Sequence, residues 1–169
     1  MPTAATVSPR PPNPEAMANF RKKPADPEAL LKRMASLCAK SEQCSFDIST
    51  KLYKAGLPKE KSEEILEYLT ENRYIDDARF ARAFASFKVR FASWGRRKIR
   101  MALAAKRIDS SLISEALEAI DPDDYLAALR RVVEAKKKDA DLADREQRAK
   151  AYRQLLARGF ESDLILREL

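Results

Sequence analysis

Basic side chains are concentrated in one stretch of this 169-residue chain. Between Asp77 and Asp109 there are ten Lys or Arg residues and no Asp or Glu, although the net charge of the whole chain is only +7. The remainder has 23 basic against 26 acidic residues, so the positive charge is local. A local cluster of cations favours binding to a polyanion or to an acidic protein groove. The candidate binding residues are Arg79, Arg82, Lys88, Arg90, Arg96, Arg97, Lys98, Arg100, Lys106 and Arg107.

Residues suited to catalysis are scarce. The chain has no His, which removes the commonest general base and the commonest metal ligand. Cys38 and Cys44 are its only cysteines and have no third or fourth ligand nearby, so we expect buried or idle thiols. No GxxxxGK[ST] phosphate loop occurs. We therefore expect a protein that is not an enzyme and that needs no metal or other cofactor.

Composition favours an all-helical protein outside the membrane. Only 3 Gly occur while 45% of residues are apolar, a balance typical of packed helices. No apolar run is long enough to span a bilayer, no signal peptide is visible, and two cysteines are too few for a disulfide scaffold. These features predict a cytoplasmic protein.

The first 25 residues differ from the rest. They contain six prolines and end near a basic cluster, Arg21-Lys22-Lys23, with few large apolar side chains between. Such a segment cannot form a packed element, so residues 1–25 are predicted to be a flexible tail. The tail is either an inert extension or a tether that contacts anions through its basic cluster.

Three acidic helix starts recur along the remaining chain. Asp26, Asp76 and Asp121 each precede a run with apolar residues at helical spacing. An Asp at this position accepts hydrogen bonds from free backbone N–H groups and suits the positive end of the helix dipole. In the second run the apolar residues are phenylalanines, at positions 80, 84, 87 and 91, which fall within a stripe roughly 60° wide and are predicted to be core.

A turn motif repeats at a spacing of 51 and then 52 residues. It places an apolar residue five positions before another across a turn, in Leu52 to Leu57, Leu103 to Ile108 and Leu155 to Phe160. Gly56 and Gly159 fit the left-handed residue that ends a helix, and Arg107 takes that position in the middle copy with some strain. A third apolar helix follows each turn.

The chain is therefore predicted to be an all-α, elongated and curved tandem array of three three-helix repeats. We call residues 26–73 unit 1, residues 74–121 unit 2 and residues 122–169 unit 3. The basic stretch lies in unit 2, where we expect Arg79, Arg82 and Arg90 on one side of the first helix. Arg96, Arg100 and Arg107 should align along the second helix.

Three segments between Arg73 and Asp121 form a recognisable pattern: RYIDDARFARAF, WGRRKIRMALAAKRI and ISEALEAID. In these segments unit 2 resembles the RecX family of bacterial recombination regulators, and the resemblance is looser in the outer units. It implies tandem three-helix units that lie in the groove of the RecA filament on DNA and inhibit its activities. The expected partners are the RecA filament and single- or double-stranded DNA, with the regulator as a monomer.

The resemblance also matches an acidic pair, Asp76 and Asp77, and a basic helix, Arg96 to Arg100. The acidic pair is a helix cap or forms salt bridges with a partner. The basic residues contact either DNA phosphates or acidic recombinase residues. Two other functions stay open from the residues alone. One is a stand-alone DNA-binding protein that uses the turn at Gly56 or Arg107 as a helix-turn-helix, and the other is a helical scaffold for unrelated proteins.

Overall fold

The computed structural model describes residues 25–169, so the predicted tail up to residue 24 lies outside the described residues. All regular structure within residues 25–169 is helical, as predicted. Nine helices occur there: α1 (Pro27–Lys40), α2 (Ser45–Lys54), α3 (Lys59–Glu71), α4 (Asp77–Ala92), α5 (Arg96–Ala105), α6 (Ser110–Glu118), α7 (Pro122–Asp139), α8 (Arg145–Ala157) and α9 (Ser162–Glu168). None of these nine is both long enough and apolar enough to cross a bilayer.

The three predicted acidic helix starts are confirmed. Asp26, Asp76 and Asp121 each accept hydrogen bonds of 2.9–3.0 Å from free backbone N–H groups in the first turn of the helix they precede. Pro27 and Pro122 are the first residues of α1 and α7, where the missing N–H costs nothing. These caps begin the first helix of each unit at equivalent positions.

The turn motif has the same hydrogen bonding in all three units. The backbone N–H after each turn donates to the carbonyl five residues earlier, which is the bond that ends a helix at a left-handed residue. The donor and acceptor pairs are Leu57 to Leu52 (3.2 Å), Ile108 to Leu103 (3.2 Å) and Phe160 to Leu155 (3.3 Å). The left-handed residues are Gly56 (φ 84°), Arg107 (φ 56°) and Gly159 (φ 91°), as predicted.

The core divides unequally among the units. One cluster runs continuously through units 2 and 3 and includes Ile99, Leu103, Tyr125, Leu129 and Phe160. Unit 1 has its own cluster around Ile48, Leu52 and Leu69. Cys44 of unit 1 packs in the larger cluster, fully buried. Units 2 and 3 are thus joined by apolar packing. Unit 1 meets unit 2 through apolar contacts, with Cys44 in the larger cluster and Ile75 in the smaller one, and through polar contacts such as Asp77 with Ser45.

Two glycines bring units 2 and 3 into backbone contact. The N–H groups of Gly95 and Arg97, at the start of α5, donate to the carbonyls of Arg158 (2.8 Å) and Gly159 (3.1 Å), at the end of α8. A Cβ on Gly95 would lie 2.1 Å from the Gly159 carbonyl carbon, closer than any real contact. The end of one helix therefore caps the beginning of another, and only glycine allows the approach.

The predicted phenylalanine stripe is only half correct. Phe80 is buried and Phe84 packs against the core, but Phe87 is 56% and Phe91 75% exposed. The buried face of α4 instead continues through Ala81, Ala85 and Val89. Because α6 packs closely on α4, small side chains fill that face and the two distal phenylalanines are left on the outside.

Candidate nucleic-acid interface

Four of the ten predicted binding residues pair with carboxylates of the neighbouring units. The sequence pattern predicts all ten as binding residues and gives no sign of these four pairs, which leave Arg90 exposed and the other three cations partly exposed. Arg79 and Lys106 reach unit 1, and Arg90 and Arg96 reach unit 3. The pairs are Arg79 with Glu42 (2.7 Å), Lys106 with Asp47 (2.6 Å), Arg90 with Asp124 (2.7 Å) and Arg96 with Glu161 (3.7 Å). These cations help to hold the units together.

Of the two ion pairs that reach unit 3, the pair of Arg96 with Glu161 is the less exposed. The guanidinium carbon of Arg96 lies 3.9 Å from the centre of the Tyr125 ring, and the Arg96 side chain is 32% exposed. The Tyr125 hydroxyl donates to Glu161 Oε2 (2.6 Å) and accepts from the Arg96 backbone N–H (2.9 Å). Burial and the Glu161 carboxylate raise the pKa of Tyr125, so the hydroxyl keeps its proton. Arg96 therefore has a structural position at the junction of units 2 and 3.

The two aspartates of the acidic pair, Asp76 and Asp77, cap two different helices. Asp76 caps its own helix α4. Asp77 Oδ1 accepts from the Ser45 backbone N–H (2.8 Å) and Oδ2 from the Ser45 hydroxyl (2.5 Å), at the start of α2 in unit 1. Cys44, the residue before α2, forms no side-chain cap of its own. Asp77 thus supplies a cap across the unit boundary, a role that local sequence could not reveal.

The other six candidate residues have no carboxylate within salt-bridge distance among residues 25–169. They are Arg82, Lys88, Arg97, Lys98, Arg100 and Arg107. Arg82, Arg97, Arg100 and Arg107 are exposed, and the two lysines are partly exposed. Arg107 is not aligned with Arg96 and Arg100 as predicted, because it follows the end of α5 and its guanidinium lies 5.2 Å from the Phe46 ring of unit 1.

Arg97 and Arg100 line a groove beside α6. Ser114 and Leu117 form part of its wall, and Glu118 and Glu161 lie in the same groove. The two acids moderate the positive charge without pairing with either arginine within 4 Å. Because both guanidinium groups face solvent, they can donate to phosphate or carboxylate oxygens.

The two lysines lie on the other side of α5 around Trp94. Lys88 Nζ is 4.6 Å and Lys98 Nζ 4.4 Å from the centre of the Trp94 ring. The indole is partly buried against the core, as expected for a residue that closes the corner between α4 and α5. The face of an indole ring is electron-rich, so each ammonium group is attracted to Trp94.

A second basic groove, which the sequence pattern does not indicate, lies in unit 1. Leu30, Met34 and Leu37 form its apolar part, and its volume is about 600 Å³. The cations that line it are Arg33, Lys40, Lys51 and Lys54. They come from two helices and are spread over 22 residues, with Glu42 and Asp47 between Lys40 and Lys51, so no uninterrupted basic run signals them. Only the fold, which places α1 and α2 on the same groove, brings them together.

Neither cysteine belongs to a metal site within residues 25–169, where no group of three or more potential ligands converges. Burial raises the pKa of the Cys44 thiol to about 11, and burial with the Glu42 carboxylate raises that of Cys38. Both thiols are therefore protonated near neutral pH, and a protonated thiol is a poor nucleophile and a poor ligand.

Fold and surface together define an all-α protein of tandem three-helix units, whose middle unit has six cations without a salt bridge to any residue from 25 to 169. The family model for the second three-helix domain of RecX matches residues 76–117, and the model for the third matches residues 123–169. Together these matches cover more than half of the chain. The chain belongs to the RecX family.

Relatives agree with that assignment. The chain is 31% identical to a regulatory protein RecX of Pseudomonas fluorescens over 141 residues, which is 83% of this chain and 90% of the relative. It is 28% identical over 151 residues to one of Lactobacillus johnsonii, covering 89% of this chain and 55% of the relative. It is 33% identical over 116 residues to one of Clostridium tetani, covering 69% and 52%. The chain thus spans about half the length of the latter two.

Solved structures share the fold. A crystal structure of a regulatory protein RecX superposes with a TM-score of 0.73 at 22% identity, covering 96% of this chain and 80% of that one. A RecX from Lactobacillus salivarius superposes with a TM-score of 0.69 at 18% identity, covering 82% and 91%. A function for this chain must therefore be consistent with a family of regulatory proteins and with this repeat fold.

Proposed function

We propose that this chain binds the filament that RecA forms on DNA and restrains the filament's recombinase, ATPase and co-protease activities. In this proposal it acts in the cytoplasm as a monomeric regulator without catalysis or cofactors. The six unpaired cations of unit 2 make the contact, and the four paired cations keep the units in register. The three units, at residues 26–73, 74–121 and 122–169, lie along successive parts of the filament groove.

The observation that carries the proposal is the uncompensated charge of unit 2. Six cations on or beside α4 and α5 lack a carboxylate partner in the described part of the chain, although other cations of the same stretch pair across unit boundaries. Like charges held close together repel one another unless an anionic partner is bound. A nucleoprotein filament supplies DNA phosphates and acidic protein side chains, and either can be that partner.

Steady-state kinetics of RecA tests the proposal. The chain, added in excess over recombinase, should slow DNA-dependent ATP hydrolysis and strand exchange in proportion to its occupancy of the filament. Unchanged rates at a saturating excess would contradict the proposal.

A salt titration separates a filament regulator from a stand-alone DNA-binding protein. Binding to naked DNA through phosphates should weaken with a log–log slope of about −0.7 to −0.9 per neutralised phosphate. Binding to the assembled filament should persist at salt concentrations that abolish naked-DNA binding, because protein contacts add to phosphate contacts. If both kinds of binding disappear together, the stand-alone alternative is favoured.

A further inference from the structure

Two exposed aromatic rings lie side by side on α4. The centres of the Phe87 and Phe91 rings are 4.9 Å apart with an interplanar angle of 36°. The two residues are 56% and 75% exposed. Phenylalanine is a weaker helix former than alanine, so helix stability gives no reason for two phenylalanines at solvent-facing positions. A pair of adjacent exposed rings indicates a contact surface.

Unpaired cations adjoin this aromatic pair. Lys88 Nζ lies 5.9 Å from the centre of the Phe87 ring and 4.6 Å from the centre of the Trp94 ring. Lys98 Nζ lies 4.4 Å from the centre of the same Trp94 ring. Neither lysine has a carboxylate within 4 Å in the part of the chain that the structure describes. Exposed rings and uncompensated ammonium groups therefore form one continuous surface. We call Phe87, Lys88, Phe91, Trp94 and Lys98 the aromatic–cation surface.

A single-stranded nucleic acid has the chemistry that matches this surface. Each nucleotide carries a flat base and an anionic phosphate, and single-strand binding proteins combine aromatic stacking with cations along the backbone. In a duplex the bases are stacked inside and cannot reach exposed rings. An apolar protein segment would match the two phenylalanines and leave the two lysines without partners. Charge complementarity thus favours nucleic acid over protein.

We propose that the aromatic–cation surface binds unpaired DNA bases, which stack on Phe87 and Phe91 while Lys88 and Lys98 contact the adjoining phosphates. This assignment rests on the proposed function for the source of single-stranded DNA, but it concerns direct contact with the strand itself. Arg97 and Arg100 lie apart from this surface, in the groove beside α6.

Equilibrium binding of labelled oligothymidylate, measured by fluorescence anisotropy without recombinase, tests the assignment. The F87A/F91A variant should bind oligothymidylate at least about tenfold more weakly, because two stacking rings are lost and each contributes about 1–3 kcal/mol. Its affinity for duplex DNA should stay within about twofold, and its salt slope should not change because the phosphate contacts persist. Trp94 is the only tryptophan, so bound bases near it should quench the intrinsic fluorescence of the unmodified protein.

Two controls make the result specific. Y53A removes another exposed aromatic ring, on α2 of unit 1, and should leave oligothymidylate binding unchanged. F87L/F91L keeps apolar bulk without a π face and should behave like F87A/F91A. Circular dichroism of each variant should match the unmodified protein, since both phenylalanines are exposed.

Three outcomes would overturn the assignment. The first is an unchanged affinity of F87A/F91A for oligothymidylate, and the second is an equal loss for single strand and duplex. The third is full binding by F87L/F91L, which would assign the pair to an apolar protein contact. Because no recombinase is present, failure here leaves the filament proposal untouched, and failure of the ATPase test leaves this one untouched.

Discussion

Arg107 occupies a backbone position that glycine occupies in the other two units. Its φ of 56° lies in the left-handed region, where Gly56 and Gly159 stand in units 1 and 3. A side chain there costs about 1–2 kcal/mol, and glycine in the same place loses about 0.5–1 kcal/mol of chain entropy on folding. The protein therefore gives up some stability to carry an exposed guanidinium between units 1 and 2.

Replacing Arg107 separates the strain of its left-handed backbone from the contribution of its guanidinium group. R107G and R107A both remove the guanidinium, but only glycine relieves the left-handed strain. We expect R107G to be more stable than R107A by about 0.5–1 kcal/mol in urea unfolding. Both variants should bind filaments equally weakly. Equal free energies of unfolding for R107G and R107A would show that the left-handed backbone at this position is not strained.

The Cys44 thiol gives the fold a pH dependence in the alkaline range. Its pKa rises from 9.0 to about 11 on burial, so the folded state holds its proton where the unfolded chain releases it. Stability from this group is complete below pH 9 and is lost as the pH rises toward 11. We expect the free energy of unfolding to fall more steeply over that range in the unmodified protein than in C44A. If the free energy of unfolding depends on pH in the same way in the unmodified protein and in C44A, the raised pKa of Cys44 is contradicted.

At the scale of helices, the contact between Gly95 and Gly159 sets how α5 meets α8. Two backbone hydrogen bonds and the Tyr125 hydroxyl join the start of α5 to unit 3. An added methyl group at Gly95 would meet backbone atoms, which cannot move aside as a flexible side chain can.

G95A should therefore lower the free energy of unfolding by at least about 2 kcal/mol. G56A is the matched control, because a Cβ at Gly56 meets nothing within 4 Å and only the left-handed φ opposes it. We expect about 1 kcal/mol for G56A. Equal losses in chemical denaturation would show that steric contact between the units does not limit this position.

The helices and turns of the fold were predictable from sequence, because caps and turns are local. An Asp two or three residues before its hydrogen-bond donor, or a Gly after an apolar run, leaves a direct pattern. The side of α4 that is buried was not predictable beyond Phe84. The phenylalanines and the Ala81, Ala85 and Val89 series both have helical spacing, and only the neighbouring helix α6 decides between them.

The candidate site was less predictable than the fold. The sequence located the basic stretch, but the carboxylates that neutralise Arg79 and Arg90 lie 37 and 34 residues away along the chain. Pairs at that separation depend on how whole units dock. The same reason hid the cross-unit cap from Asp77 to Ser45, whereas the basic groove of unit 1 depends on how the helices of that unit pack.

At the scale of the whole molecule, the cations of unit 2 have two roles. Arg79, Lys106, Arg90 and Arg96 bind carboxylates of the flanking units, while the other six have no such partner within residues 25–169. Partly exposed ion pairs each contribute little to stability, but several of them fix the orientation of docked units. Charge reversal at Arg96 would disturb this docking, so a test of binding must leave Arg96 in place.

Co-sedimentation of R97E/R100E with preformed RecA filaments tests the central claim most directly. R145E/R148E is the matched control, since it reverses two exposed arginines at the same three-residue spacing on α8. The account predicts that R97E/R100E sediments with filaments about tenfold more weakly than the unmodified chain, on the order of 1.4 kcal/mol, while the control binds normally. Equal binding by both variants, with folding intact, would contradict the claim that the unpaired cations of unit 2 hold the filament.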